Sequence, residues 1–406
     1  MGCSGNNASP PGPAYAPGAE NVDPISAASA AEIDPRIIAT IPGFDAPFFQ
    51  AGLAGYSDPA MRIIARRHGC PCCVTEALLD RTLLAGGKGF AKADLGEIAD
   101  NVPGGNEDHP LIGQLMGSDP DEMAAAAVKM IEQGKRHPRA YTALARRESA
   151  HVFQPADALA RTFAAIDVNL ACPVKKIKSK ARGGHWLREP EGAIEILRAV
   201  RAALPRHVPT TLKIRRGSDE SPDAERNFFR IFDAAYELGY AWATVHGRTV
   251  EQKYVGPSKW TFLRDLVRAR PDRIIFGSGD VWNAHDLFRM LAYTGVHAAS
   301  VARGCIGNPW IFRQARQMMA GRPPAAPTIA EQRQVLREHF ELSAAVNGEV
   351  GAGLLMRKFG IRFAAHHPEA EAVRLRFIAC STTAEWEKVL EEFYSEEPIG
   401  ATVSAD

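Results

Sequence analysis

Eight short β-type runs alternate with longer helical stretches between about residues 36 and 320, and this rhythm constrains the fold more than any other feature. The runs are 48–53, 72–76, 110–115, 165–170, 209–214, 241–245, 273–277 and 297–301, and the helical stretches between them include 190–203, 223–238, 260–268 and 284–294. Such a rhythm predicts the α/β class, as a (β/α)8 TIM barrel. An open doubly wound sheet is the alternative, but AGLAGYSD (51–58) matches its glycine-rich fingerprint poorly.

Composition divides the chain into three parts. Residues 1–35 are rich in Ala, Pro, Gly, Ser and Asn, which predicts a disordered leader. Residues 36–320 form the predicted catalytic barrel. A Pro-rich linker follows, and Thr328 with Glu331 then makes a capping-box pattern that starts a small helical domain over 328–397.

The chain carries neither a secretory signal nor an apolar run near the roughly 20 residues that span a bilayer, so we expect a cytoplasmic protein. We expect a monomer without a protein partner. The net charge of +1 means that any nucleic acid must bind through local basic patches.

The seven cysteines are odd in number and lie in a large chain, which indicates reduced thiols. Cys70-Pro71-Cys72-Cys73 lacks a second ligand pair at the spacing of a zinc site, so these thiols are expected to be structural and no metal is predicted.

The carboxyl ends of barrel strands usually carry the active site, and the polar residues there are mainly uncharged or basic. They are Gln114, Asn169, Cys172, Lys213, Arg215, His246, Arg248, Ser278, Gly279, Asp280 and Arg303. Such a set, with its two glycine-rich turns, suits an anionic phosphorylated cofactor. Taken singly, each residue has a plainer interpretation: Lys213 as a solvated lysine, His246 as a structural histidine.

Cys172 also has two interpretations. Cysteine is commonly a small buried hydrophobic residue, but Cys172 follows a strand end and precedes Pro173, which restricts the local backbone. Basic residues follow closely and could lower the pKa of a thiol or hold a polyanion. They are Lys175, Lys176, Lys178, Lys180 and Arg182.

Nine ordered segments resemble the tRNA-dihydrouridine synthase family, in the form found in bacteria. They are AGLAGYSDPAMR (51–62), TEALL (75–79), QLMGSDP (114–120), IDVNLACPVKK (166–176), LKIRRG (212–217), VHGRTVEQKYVGPSKW (245–260), FGSGDVWNAHD (276–286), TGVHAASVARGCIGNPWIF (294–312) and GLLMRKF (353–359). The resemblance implies an FMN-dependent enzyme that reduces the C5=C6 bond of uridine in tRNA with NADPH as reductant. It also implies that the helical domain over 328–397 binds the tRNA.

The resemblance also assigns roles. Cys172 matches the catalytic acid, which must be a thiol when it donates its proton. The implied cofactor contacts are Gly52, Leu53, Ala54, Gln114, Lys213, His246, Ser278, Gly279, Asp280, Ala302 and Arg303. The implied substrate contacts are Asn169, Lys175, Lys176, Arg182, Arg248 and Lys358.

The sequence departs from the family pattern at several points. Gly52 stands where the family usually has Pro, Ala171 where it has Gly, Ser278 where it has Asn, and Ala302 where it has Gly. Segment 134–158 is an unusual insertion. Two other functions stay open: a flavin barrel acting on a free pyrimidine-like molecule, and an RNA-binding protein that has lost catalysis.

Overall fold

A computed structural model of the chain describes residues 16–85, 106–134, 163–173 and 183–395, and it contains a closed parallel barrel. The strands are β1 (Phe48–Gln50), β2 (Cys73–Val74), β3 (Leu78–Leu79), β4 (Leu111–Met116), β5 (Ala165–Leu170), β6 (Thr210–Arg215), β7 (Trp242–His246), β8 (Ile275–Ser278) and β9 (Ala298–Val301). Eight of them form the ring β1-β2-β4-β5-β6-β7-β8-β9, and β9 pairs back with β1. The short β3 pairs only with β4. The predicted (β/α)8 barrel is therefore confirmed.

Helices follow the strands and cover the barrel. They are α1 (Pro24–Ser29), α2 (Pro35–Thr40), α3 (Pro59–Arg67), α4 (Asp80–Ala85), α5 (Pro120–Gly134), α6 (Pro190–Ala203), α7 (Pro222–Glu237), α8 (Trp260–Ala269), α9 (Ala284–Thr294), α10 (Trp310–Met319), α11 (Ile329–Phe363), α12 (Ala370–Ala379) and α13 (Thr383–Phe393). The predicted capping box at Thr328 and Glu331 begins α11, and Gly348 breaks this helix with a φ of 75°.

An aromatic cluster closes the amino-terminal end of the barrel. Phe44 lies 5.8 Å from Phe49 and 5.9 Å from Phe276, measured between ring centroids. Trp242 stacks on Phe276 at 4.8 Å, and Ile37 of α2 packs in the same buried cluster. Because these side chains fill that end, a ligand can enter only from the carboxyl ends of the strands.

The carboxyl-terminal helices pack against the barrel. Phe359 of α11 meets Tyr56 edge to face at 5.5 Å, and Phe363 meets Trp310 at 5.6 Å. This contact brings α11 next to the loop that follows β1, which lines the site described below.

Part of the predicted disordered leader, residues 16–35, contains short helices that pack against the barrel. Asp23 caps α1 by accepting hydrogen bonds from the amides of Ile25 and Ser26, and Ala28 is fully buried. The expectation of disorder was wrong here because small alanines can pack flush against a neighbouring helix without a large apolar side chain. Residues 1–15 and most of the 134–158 insertion lie outside the described residues.

None of the described helices is long and apolar enough to cross a bilayer. The six described cysteines form no disulfide, and no group of His, Cys, Asp and Glu in the described ranges could hold a metal ion. Cys70 and Cys73 are buried with their sulfurs 3.9 Å apart. The burial of Cys70, Cys72 and Cys73 agrees with the expectation that their thiols are structural.

Candidate active site

A cavity of about 300 Å³ opens at the carboxyl ends of the barrel strands. Its lining brings together thirteen of the predicted site residues: Gly52, Leu53, Ala54, Gln114, Asn169, Cys172, Lys213, His246, Ser278, Gly279, Asp280, Ala302 and Arg303. These residues are far apart in sequence and meet because parallel strands place their carboxyl ends on one face.

Two glycines allow the backbone to lie close to the cavity. A Cβ atom on Gly52 would come within 2.2 Å of the carbonyl oxygen of Thr75, and one on Gly279 within 2.3 Å of the Ser258 hydroxyl oxygen. Gly279 also has a φ of 116°, which other residues rarely adopt. Both positions therefore require glycine, and a bound group can approach the main chain closely there.

A buried polar network forms the floor of the cavity. The Asp167 carboxylate accepts hydrogen bonds from the Thr211 hydroxyl at 2.6 Å and from the Gln114 amide nitrogen at 2.8 Å. The Asn169 amide nitrogen donates to the Gln114 carbonyl oxygen at 2.7 Å. Burial raises the pKa of Asp167, and the two hydrogen bonds that it accepts oppose that rise.

Lys213 on β6 lines the cavity next to this network, and its Nζ lies 3.3 Å from the Ser278 hydroxyl oxygen. Burial lowers the pKa of Lys213 to about 8, and the nearby Asp167 carboxylate opposes this shift. The ammonium is therefore still mostly protonated at pH 7, in a site where a positive charge has little water to compete with.

His246 lies beside Lys213 and contacts the same turn. Its Nδ1 is 3.0 Å from the carbonyl oxygen of Ser278, which suits an Nδ1–H donor. Burial, together with the charges of Arg215 and Lys213, holds the pKa of His246 well below its usual value. The ring is neutral at physiological pH and leaves Nε2 as an acceptor.

Cys172 is half-buried and lines the cavity just beyond β5. Its backbone N–H donates to the Asn169 side-chain oxygen at 3.1 Å, and the N–H of Ala171 donates to the same oxygen at 2.8 Å. Its carbonyl oxygen accepts from the N–H of Gly184 at 3.0 Å. The thiol is thus carried by a backbone segment that is fixed from both sides.

Arg248 does not line the cavity, although the sequence predicted it as a substrate contact. It is 3% exposed and makes an ion pair with Asp280 at 2.7 Å. The Asp280 carboxylate also accepts from the N–H of Ser258 at 2.6 Å, and Asp280 has a φ of 57°. Arg248 therefore supports the turn at Gly279 and Asp280 from behind.

Lys358, which the resemblance assigns to the substrate, lies against the loop that follows β1. Its ammonium donates to the carbonyl oxygen of Gly55 and sits 4.5 Å from the centre of the Tyr56 ring. The N–H of Gly55 in turn donates to Glu76 at 2.6 Å. The other predicted substrate contacts, Lys175, Lys176 and Arg182, lie outside the described residues.

Sequence reasoning missed three acidic or aromatic residues that line the cavity: Glu76, Tyr254 and Trp282. The Arg303 guanidinium lies 4.5 Å from the Trp282 ring centre and 4.9 Å from that of Tyr254, so it is held between two aromatic rings. All three missed residues fall inside the segments that carry the family resemblance, and this position was the available signal.

The fold and the cavity define a (β/α)8 enzyme whose site joins a thiol, a lysine and a neutral imidazole with glycine-lined turns. A family model described as "Dihydrouridine synthase (Dus)" matches residues 143–397. The chain belongs to the dihydrouridine synthase family.

Similar proteins span most of this chain. tRNA-dihydrouridine synthase B of Shewanella oneidensis is 30% identical, over 85% of this chain and 94% of that protein. tRNA-dihydrouridine synthase B of Pseudomonas putida is 29% identical, over 85% and 90%. A probable tRNA-dihydrouridine synthase of Treponema pallidum is 30% identical, over 78% and 84%.

Proposed function

We propose that this chain reduces the C5=C6 bond of uridine in tRNA, with FMN bound in the cavity, NADPH as reductant and Cys172 as proton donor. One observation carries the proposal: Cys172 lines the same cavity as Lys213, His246 and the glycine turn at residues 278–280. The names of the relatives supply the substrate class.

The residues present fit a flavin mononucleotide. Gly52 and Gly279 line the cavity and carry no side chain, so a flat ring or a phosphate can lie against the main chain there. Arg303 supplies a positive charge at the cavity wall, and it is held in place by its two aromatic neighbours. Lys213 would offset negative charge on the flavin ring, and Gln114 would donate to its edge.

The chemistry needs a hydride at C6 and a proton at C5. A reduced flavin held by these residues would supply the hydride, and negative charge would then develop at C5 and O4 of the uracil ring. Cys172 then donates its thiol proton to C5, and the sulfur is left as a thiolate that must be reprotonated before the next turnover. The fixed backbone at Cys172 orients the thiol for this step.

The protein also has to accept a base from a folded RNA. A uridine in a loop costs less to unstack than a paired base, so the proposed substrate is an extruded loop uridine that enters at the barrel mouth. Lys175, Lys176 and Arg182 follow Cys172 in the chain and are proposed to contact RNA phosphates.

The proposal is tested with Cys172→Ala, using Cys380→Ala as the matched control because Cys380 is buried in the carboxyl-terminal helices. We expect Cys172→Ala to keep its flavin and to oxidise NADPH, but to form dihydrouridine in tRNA roughly 10²- to 10⁴-fold more slowly, since it lacks the general acid. Mass spectrometry of the tRNA measures the product, and the control should match the wild type.

Three results would contradict the proposal. Full turnover by Cys172→Ala would remove Cys172 from the acid role. A wild-type protein that cannot bind FMN would favour an RNA-binding protein without catalysis. Reduction of a free pyrimidine with no salt-dependent binding of tRNA would favour a small-molecule oxidoreductase, because phosphate contacts release counterions.

A further inference from the structure

The floor of the cavity is built from residues that face one another across three neighbouring strands. The register pairs Gln114 of β4 with Asp167 of β5, and Asp167 with Thr211 of β6. All three side chains point to one side because paired positions in a sheet share a face. Asn169, two residues beyond Asp167, points the same way and reaches Gln114.

These contacts form one continuous chain of hydrogen bonds that ends at the backbone of Cys172. It begins at the Thr211 hydroxyl, passes through Asp167, Gln114 and Asn169, and reaches the N–H groups of residues 171 and 172. Asp167 is 4% exposed and Gln114 is 2% exposed, so bulk water does not replace these partners.

The groups at the two ends of this hydrogen-bond network fix the orientation of both side-chain amides in it. An ionised carboxylate only accepts, so Gln114 must turn its NH₂ group towards Asp167 and its oxygen towards Asn169. The backbone N–H groups at the other end only donate, so Asn169 must turn its oxygen towards them and its NH₂ towards Gln114. Both ends demand the same arrangement, and a reversed amide would set two donors or two acceptors together.

We propose that Asp167 is a positioning residue: by accepting from Gln114 it fixes, together with the backbone N–H groups at the other end, the orientation of Gln114 and Asn169, which in turn hold the backbone of Cys172 and turn N–H donors towards the cavity. Each amide nitrogen keeps a second N–H, and both side chains line the cavity. The ligand atoms that these donors suit are carbonyl oxygens, such as those of a pyrimidine-2,4-dione. That choice of ligand rests on the proposed function, but the orientation itself does not.

The test exchanges the donor and the acceptor between positions 114 and 167. Gln114→Glu alone sets two carboxyl groups against each other, and they must either repel or take up a proton. Asp167→Asn alone preserves the hydrogen-bond network, because the oxygen of the new side chain can accept from Gln114 and its NH₂ group can donate to Thr211. In the double variant the new Asn donates to the new Glu, which still accepts from Asn169, so every group is satisfied again.

We expect strong coupling between the two substitutions. We compare the unfolding equilibrium constant of the purified, flavin-bound double variant at pH 8 with the value expected if the two single substitutions acted independently. The measured constant should be at least tenfold smaller, which means a more stable fold. The rate at which iodoacetamide alkylates Cys172 is measured by mass spectrometry of the peptide that contains it. This rate should be higher in Gln114→Glu than in the wild type, and in the double variant it should return to within about threefold of the wild-type rate. Flavin affinity should stay weakened in the double variant, because residue 114 no longer offers an N–H.

Independent, multiplicative effects of the two substitutions on stability would overturn the proposal, and so would equal alkylation rates in Gln114→Glu and the double variant. If Gln114→Glu yields no soluble protein, recovery of soluble protein by Asp167→Asn is the expected result, and failure to recover it counts against the proposal. Full recovery of flavin affinity would refute the donor assignment at Gln114. Stability and alkylation require neither uridine nor reductant, so a failure of the proposed reaction would be seen separately.

Discussion

The buried ammonium of Lys213 should make the cofactor-free fold less stable than it would be with an apolar side chain. A lysine whose pKa falls to about 8 on folding binds its proton less tightly in the folded state than in the unfolded state, where the value is 10.5. That difference corresponds to about 3 kcal/mol of lost folding free energy while the lysine is charged in both states. The loss is fully present below pH 8 and disappears as the pH rises towards 10.5.

Lys213→Met removes this charge and keeps the length of the side chain. It also removes the contact with Ser278 and leaves the Asp167 carboxylate without a nearby positive charge, and both effects reduce the gain. We therefore expect the flavin-free variant to be about 1 to 3 kcal/mol more stable than the wild type at pH 7. Its flavin affinity should fall roughly tenfold or more, because a charge-assisted hydrogen bond is lost.

The measurement is urea unfolding of flavin-free protein at intervals between pH 6 and pH 10, with Lys388→Met as the control because Lys388 is exposed on α13. The stability difference between Lys213→Met and the wild type should be constant below pH 8 and shrink above it, since only the wild type gains stability as Lys213 loses its proton. The control should show no such trend. A difference that stays the same from pH 6 to pH 10 would refute the reasoning.

Two further predictions concern the loop after β1. Gly52→Ala should lower flavin content in the purified protein severalfold or more, because its Cβ would lie 2.2 Å from a main-chain oxygen that cannot move cheaply. Absorbance at 450 nm measures this, and Gly353→Ala in α11, where the nearest neighbouring atom is the Thr383 hydroxyl oxygen at 3.3 Å, controls for the loss of a glycine. Lys358→Met should free the carbonyl oxygen of Gly55 and raise the flavin dissociation constant by about two- to tenfold, while the salt slope of tRNA binding stays unchanged. If the variant keeps its flavin affinity and the slope of log K for tRNA binding against log salt concentration falls by about one, Lys358 contacts an RNA phosphate instead.

Much of the barrel could be predicted from the sequence, because its strands are buried apolar runs with clear breaks between them. The predicted run 165–170 coincides with β5, and the predicted helix 190–203 coincides with α6. Shorter strands are harder: β2 covers only Cys73–Val74 of the predicted 72–76, because a strand end depends on its neighbours' register as well as on its own residues. The site residues at strand ends followed from the barrel, since one face gathers them all.

The role of the polar floor could not be predicted in the same way. Asp167 is the third residue of a buried strand, and its sequence neighbours give no sign of its partners. Gln114 and Thr211 are 53 and 44 residues away along the chain. Only the pairing of β4, β5 and β6 brings the three together, and that register is a property of the closed ring.

Positive charge is the feature that sequence reasoning interpreted least well, and the reason is physical. A basic residue in an RNA-modifying enzyme suggests a phosphate contact, but a guanidinium that is already paired gains little from a second anion. Arg248 is paired with Asp280 and nearly inaccessible, and Lys358 is occupied by a main-chain oxygen and an aromatic ring. Both therefore hold the walls of the cavity, the first under the 278–280 turn and the second beside the loop that carries Gly52. Whether a basic residue holds a wall of the site or contacts a ligand follows from its partners in the structure and not from its place in the sequence.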